Sequence, residues 1–344
     1  MLSSIRSKTS AFAAVLLVVL LSGAALAQDD QKDQKDQSSE QLPTFTSNVN
    51  VVNLFFNVKD KHGNLIPNLT KTDFQVLEDG KPQTIKYFSA DSEQPLTLGI
   101  LLDTSASQER VLPLEKEVGA AFLQDVLRSK DLAFLISFDV NVDELHDFTS
   151  NAHQLQRAMD KAVINNGGGI SGPPGLGGGP IPNNDPKGTL LYDAVYLASH
   201  DKLAAEVGRK AMILLTDGED QGSQMKMRDA IEAAQKADAV IYVLLAADRG
   251  FYGFGGYSGE GEMKKMTSET GGRVIEVGNK FEKMREAFQQ IAQELRSQYN
   301  IGYTPTNTKR DGAFRHIEIK VTTNKDLKIQ SRNGYYAPTE RSGD

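Results

Sequence analysis

Between residues 96 and 296 short apolar runs alternate with longer amphipathic stretches, the order expected of βαβ units with right-handed crossovers. The pattern predicts strands over 96–103, 132–138, 212–216, 240–246 and 273–277. Helices are predicted over 109–127, 152–164, 189–205, 224–236, 262–270 and 281–296. The 142–148 segment is shorter and more polar, which suits an antiparallel edge strand. Outside this body the period changes to that of β-structure. Residues 49–58 are β-rich, and 74–78 with 83–88 read as a hairpin around Asp79-Gly80. Further strands are predicted over 299–304, 314–321 and 327–331. Neither group is large enough to bury a core alone. The prediction is therefore one β-sandwich-like module, built from N-terminal (45–92) and C-terminal (298–338) strands, with the α/β domain (95–296) inserted between them.

The first 44 residues carry a different signal. Arg6 and Lys8 precede an apolar segment over 11–21, and Ala25-Leu26-Ala27 supplies a small-x-small cleavage site. Residues 1–27 thus read as a cleaved signal peptide, and the protein as exported, periplasmic or secreted, with no membrane span in its mature form. Residues 28–44, including the highly polar 29–41, are expected to be a disordered tether.

Composition narrows the chemistry. The chain of 344 residues has 38 basic and 45 acidic side chains, a formal net charge of −7. The leader removes two of the basic ones. Such a balance argues against nucleic acid as a main partner, because phosphate binding needs clustered Lys and Arg. There is no cysteine, which excludes thiol catalysis, thiolate zinc sites and a disulfide framework.

Candidate chemistry lies at the ends of the apolar runs. The 96–103 run stops at Asp103, followed by Thr104, Ser105, Ala106 and Ser107. In doubly wound sheets ligands bind beyond the carboxyl ends of the strands. A carboxylate with two hydroxyls at alternate positions is a hard, all-oxygen donor set suited to Mg2+, Mn2+ or Ca2+. Helix capping is the competing explanation for such Ser and Asp residues. Two further segments add to the set. Thr189 stands at the start of a predicted helix, and the 212–216 strand ends in Asp217-Gly218.

Strand then Asp103-x-Ser105-x-Ser107, loop then Thr189, strand then Asp217 resembles the metal ion-dependent adhesion site of the von Willebrand factor type A (VWA) family. The resemblance spans about 95–296. It implies a Rossmann-like VWA fold with a mostly parallel sheet, and a site in which both serines bind magnesium directly. Thr189 would bind directly or through water, and Asp217 usually through water, leaving a position for an Asp or Glu carboxylate from a protein partner. The flanking strands, the LEDG hairpin (77–80) and the closing Asn333 to Pro338 also resemble a bacterial, secreted VWFA-related subfamily of acidobacterial type.

Several expectations follow from this. Asp193, one helical turn beyond Thr189, could hold a metal-bound water, or be a solvent-facing helix residue. Two glycine-rich loops, 165–187 and 249–261, belong on the metal-bearing edge. Phe251, Tyr252, Phe254 and Tyr257 in the second suggest a partner-binding loop. The histidines are scattered, and no nucleophile–base constellation is legible, so the chain reads as a non-enzymatic protein of metal-dependent protein binding or cell adhesion. The alternatives are a structural envelope-assembly subunit with a vestigial metal site, and a metal-assisted hydrolase with Asp217 or Asp193 as base.

Overall fold

The structure is a computed structural model, and it describes residues 51–90, 94–165, 188–246 and 259–339. The predicted signal peptide and tether lie outside the described residues. So do most of both glycine-rich loops and all four aromatic residues of the second.

The α/β body is organised on a six-stranded sheet. Its strands are β5 (Leu96–Asp103), β6 (Leu132–Phe138), β7 (Val142–Thr149), β8 (Arg209–Thr216), β9 (Ala239–Leu245) and β10 (Val274–Glu276). They lie in the order β10-β9-β8-β5-β6-β7. All neighbours are parallel except β6 and β7. This is the doubly wound sheet with an antiparallel edge that the apolar runs anticipate, and the polar β7 is that edge. Every residue of β5 is buried, as expected of a central strand covered on both faces.

Side-chain alternation divides the core in two. Leu98, Ile100, Leu102, Ile213 and Leu215 face one layer, with α1 (Leu112–Val126), α2 (Ala152–Asp160) and α6 (Phe281–Arg296). Leu101, Met212, Leu214, Ile241 and Val243 face the other. There α3 (Leu191–Leu197), α4 (Met227–Lys236) and α5 (Gly259–Thr270) cover them. On that face β5 carries Gly99, where a Cβ would stand 2.6 Å from the Phe134 ring. The glycine is what lets the tip of the ring approach the central strand.

The flanking strands form two four-stranded antiparallel sheets. One contains β1 (Val52–Lys59), β4 (Ile85–Ser89), β11 (Tyr299–Tyr303) and β13 (Lys328–Gln330), in the order β13-β1-β11-β4. The other contains β2 (Phe74–Glu78), β3 (Lys81–Gln83), β12 (Phe314–Val321) and β14 (Gly334–Tyr336), in the order β14-β12-β2-β3. Each sheet mixes strands from both ends of the chain, as in β1–β11 and β2–β12. Leu54, Phe56, Val76, Tyr299, Ile301 and Ile319 share one core between them. The core is therefore shared between the two ends of the chain.

Four predicted helix starts shift. The 109–127 helix resolves into a 3-10 turn (Ala106–Gln108) followed by α1, which begins at Leu112 with Pro113 in its first turn. Proline there needs no backbone donor. The 224–236 helix begins only at Met227, and the 262–270 helix already at Gly259. Thr189 is extended rather than helical, because its N–H and C=O both pair with Gln221 at 2.9 Å; α3 starts two residues later. Beyond Leu197 the same helix widens into a π-helical segment over Ala198–Leu203.

Candidate metal centre

The sheet order places the site. From β5 the chain goes to β6 on one side, and later to β8 on the other, so the topological switch point lies between β5 and β8. The loops leaving two such strands diverge, opening a crevice at their carboxyl ends. Asp103 ends β5 and Asp217 follows β8 directly. A hydrogen bond links the two strand ends: Thr216 Oγ1 donates to Asp103 Oδ2 at 2.6 Å, and accepts from Gly218 N at 2.9 Å. Gly218 has φ +82°, a conformation that a Cβ would strain, and a Cβ there would also meet Met263 Cγ at 2.8 Å.

Asp103 is fully buried, Asp217 is 1 % exposed and Thr189 7 %. Ser105 N donates to Asp103 Oδ1 at 3.0 Å, which curls the loop so that Ser105 and Ser107 bring their hydroxyls within 3.0 Å of each other. Ser105 precedes the 3-10 turn, yet its side chain makes no capping bond, and α1 has no side-chain cap either. The capping explanation for the two serines therefore does not apply. The Thr189 hydroxyl engages no partner among the described residues, while its backbone is held to the loop after β8. Asp217 Oδ1 accepts from Glu219 N at 3.1 Å, an Asx-type turn; the next helix starts ten residues later, so Asp217 caps no helix.

Electrostatics sharpen the picture. Burial, and then the negative charge of Asp217, push the Asp103 carboxyl up to about 7, against the pull of donors from Ser105 and Thr216. All of its described donors are neutral. A buried carboxylate held only by neutral donors, beside a second buried carboxylate, costs several kcal/mol when ionised. A cation in the crevice would remove that cost. The donor set fits a hard divalent ion, with charge from Asp103 and Asp217 and neutral oxygens from Ser105, Ser107 and Thr189. Among the described residues no three His, Cys, Asp or Glu side chains converge as ligands. An ion held here would take its remaining donors from hydroxyls, a set poorly suited to zinc.

Other acidic residues nearby anchor loops. Asp193 accepts from Gln224 N at 3.0 Å and Met225 N at 2.8 Å, so its half-buried carboxylate tethers the loop before α4. Asp220 accepts from Tyr192 N, and Glu219 from Gly259 N. One supporting residue escapes the motif. Asp139, just past β6, accepts from Thr104 Oγ1 at 2.8 Å and Asn165 Nδ2 at 3.2 Å, and its backbone C=O accepts from Leu190 N. It thus fastens the first site loop to the Thr189 segment. Its place at the carboxyl end of a predicted strand was the available signal, by the same rule that singles out Asp103 and Asp217.

No family model and no curated protein matches the chain. Among solved structures it is similar to a conserved hypothetical protein, BatB, from Bacteroides thetaiotaomicron, at 18% identity over 58% of this chain and 98% of that one, TM-score 0.42. It is similar to the SpRpn10 VWA domain at 10% identity over 56% and 94%, TM-score 0.38. A third is the vWF domain of the type V pili tip protein Mfa5 from Porphyromonas gingivalis, at 20% identity over 36% and 38%, TM-score 0.28. These neighbours include VWA domains; the assignment of the site rests on this chain's own residues.

Proposed function

We propose that the chain is an exported binding protein in which Asp103, Ser105, Ser107, Thr189 and Asp217 hold a divalent cation, magnesium, manganese or calcium, for capture of an Asp or Glu carboxylate on a protein partner. One observation carries the reading: Asp103 is wholly buried at the switch point with only neutral donors, next to Asp217. When bound, the ion supplies a Lewis acid that can accept one more oxygen ligand. Asp103 and Asp217 balance its charge, the two serines and Thr189 offer hydroxyls, and Thr216 and Asp139 keep the loops in register.

The role is binding without turnover. The last helix, α6, supports a site of fixed geometry. Its Glu294 is joined to the β-module by Lys59 Nζ at 2.8 Å and Gln330 Nε2 at 3.2 Å, and its C=O accepts from Asn57 Nδ2 at 2.9 Å. A helix tied to the module by three bonds at Glu294 has little freedom to slide.

The test is a calorimetric titration of Mg2+ and Mn2+ into the mature protein and Asp103→Ala, with thermal melting in EDTA alongside. Saturable binding in the wild type, lost in a variant that still melts cooperatively, is the expected result. Acetate, standing in for the partner's carboxylate, should then tighten the ion. Equal binding by both proteins would overturn the assignment.

A further inference from the structure

Two buried polar side chains next to the crevice have no part in the donor set. Gln108 closes the 3-10 turn after Ser107, and Glu115 lies in the first turn of α1. Both are fully buried. Among the described residues neither oxygen of the Glu115 carboxylate has a hydrogen-bond partner, and neither polar atom of the Gln108 carboxamide has one.

The other buried carboxylates are provided for. Glu78 accepts from the hydroxyls of Tyr303 and Tyr335, Asp131 from the N–H groups of Leu96 and Arg128, and Asp139 from Thr104 and Asn165. Glu294 has Lys59 and Arg273. Glu115 breaks the pattern, and its position explains how. Backbone bonds tie it to the first site loop: Gln108 N donates to the Ser105 C=O at 3.0 Å, Val111 N to the Gln108 C=O at 2.9 Å, and Glu115 N to the Val111 C=O at 3.1 Å. Burial first, then the charges of Asp103 and Asp217, push its carboxyl well above the usual range. A packing role would be met as well by leucine or methionine at no desolvation cost. An orphaned carboxylate and an orphaned carboxamide on one continuous site segment make physical sense where a cation and its ordered water complete the arrangement.

We propose that Glu115 is a positioning residue of the metal centre: a third buried carboxylate, in the first turn of the helix that follows the Asp103 loop, that with Gln108 strengthens the hold on a divalent cation without ligating it. The proposal rests on the metal-binding reading above. It accounts for a segment that would otherwise bury four polar atoms unpaired, and for Glu115 not joining Asp103 and Asp217 as a converging ligand group.

The mature full chain is titrated with Mg2+ and Mn2+ by calorimetry and melted in EDTA, as wild type, Glu115→Gln, Glu115→Leu and Asp103→Ala. Glu115→Gln keeps the volume and removes the charge, and Glu115→Leu removes the polar atoms as well. The expected result is a loss of divalent affinity of about 10-fold to 100-fold in both Glu115 variants, with melting points in EDTA equal to or above wild type. A merely structural glutamate would give the opposite: lower melting in EDTA and unchanged affinity. Wild-type affinity in whichever Glu115 variant folds, with binding lost in Asp103→Ala, would overturn the role of Glu115 and leave the metal centre standing. No saturable binding by the wild type would overturn both.

Discussion

Two carboxylates, Asp103 and Glu294, are equally hidden from solvent and treated in opposite ways. Glu294, 2 % exposed, sits where the last helix of the α/β body meets the β-module. Lys59 Nζ lies 2.8 Å from it, Arg273 Nη2 2.7 Å, and Gln330 adds a further donor. Burial alone would push its carboxyl up, but the bonds and charges of Arg273 and Lys59 hold it below its ordinary value. Asp103 receives a hydroxyl and an amide, faces another carboxylate, and is pushed up instead. Both sites obey one rule, that a buried charge needs a counter-charge. At Glu294 the chain supplies it and gains a rigid joint. At Asp103 the described residues supply no counter-charge, and in the proposed reading a cation would provide it.

The largest effect is expected from breaking the satisfied site. Arg273→Ala leaves Glu294 buried with Lys59 as its one remaining cation, and should cost about 3 kcal/mol in denaturant unfolding, with divalent-ion affinity unchanged. A loss below about 1 kcal/mol would show that the joint is not held by charge.

A change of pH separates the two carboxylates by sign. The folded value of Asp103 is raised from 3.8 to about 7, so between those values the folded protein holds a proton that the unfolded chain has released. In EDTA the wild type should therefore lose stability as pH rises from about 4 to about 7. Asp103→Asn should flatten that slope and melt higher than wild type at neutral pH. Glu294, whose folded value is lowered, acts the other way. Its contribution is complete above its ordinary value of 4.5 and is lost as pH falls through the depressed one. Melting curves from pH 4 to 8 decide; a slope identical in Asp103→Asn would mean that Asp103 is not the group responsible.

The smallest effect sharpens the boundary of the metal centre. Asp193→Ala removes the acceptor of two backbone N–H groups and should cost about 1–2 kcal/mol while leaving the ion titration untouched. A fall in affinity would bring Asp193 into the centre.

Much of this was legible without coordinates. Period determined the elements: a central strand buried on both faces must be apolar throughout, so 96–103 and 212–216 stand out, and a strand–helix alternation admits few topologies. The candidate donor residues stood out for the same reason. Asp103, Ser105, Ser107, Thr189 and Asp217 lie at strand ends and loop starts, where oxygen side chains contrast with what precedes them. The pairing of both chain ends into one β-module followed from each end being too small alone. Local pattern could not settle where helices begin, since the 3-10 turn at Ala106–Gln108 and the Thr189–Gln221 bridge depend on partners far along the chain.

Tertiary structure alone decided which polar residues are buried, and with what for company. Glu115 and Glu294 both sit on amphipathic helices whose sequence gives each the look of a surface charge. Folding turns both inward, brings Lys59 from 235 positions away to Glu294, and leaves Glu115 with no donor among the described residues. Hydrophobic period reports which face of a segment is covered. Whether a charge on that face meets its opposite depends on contacts between distant segments, which no local pattern encodes.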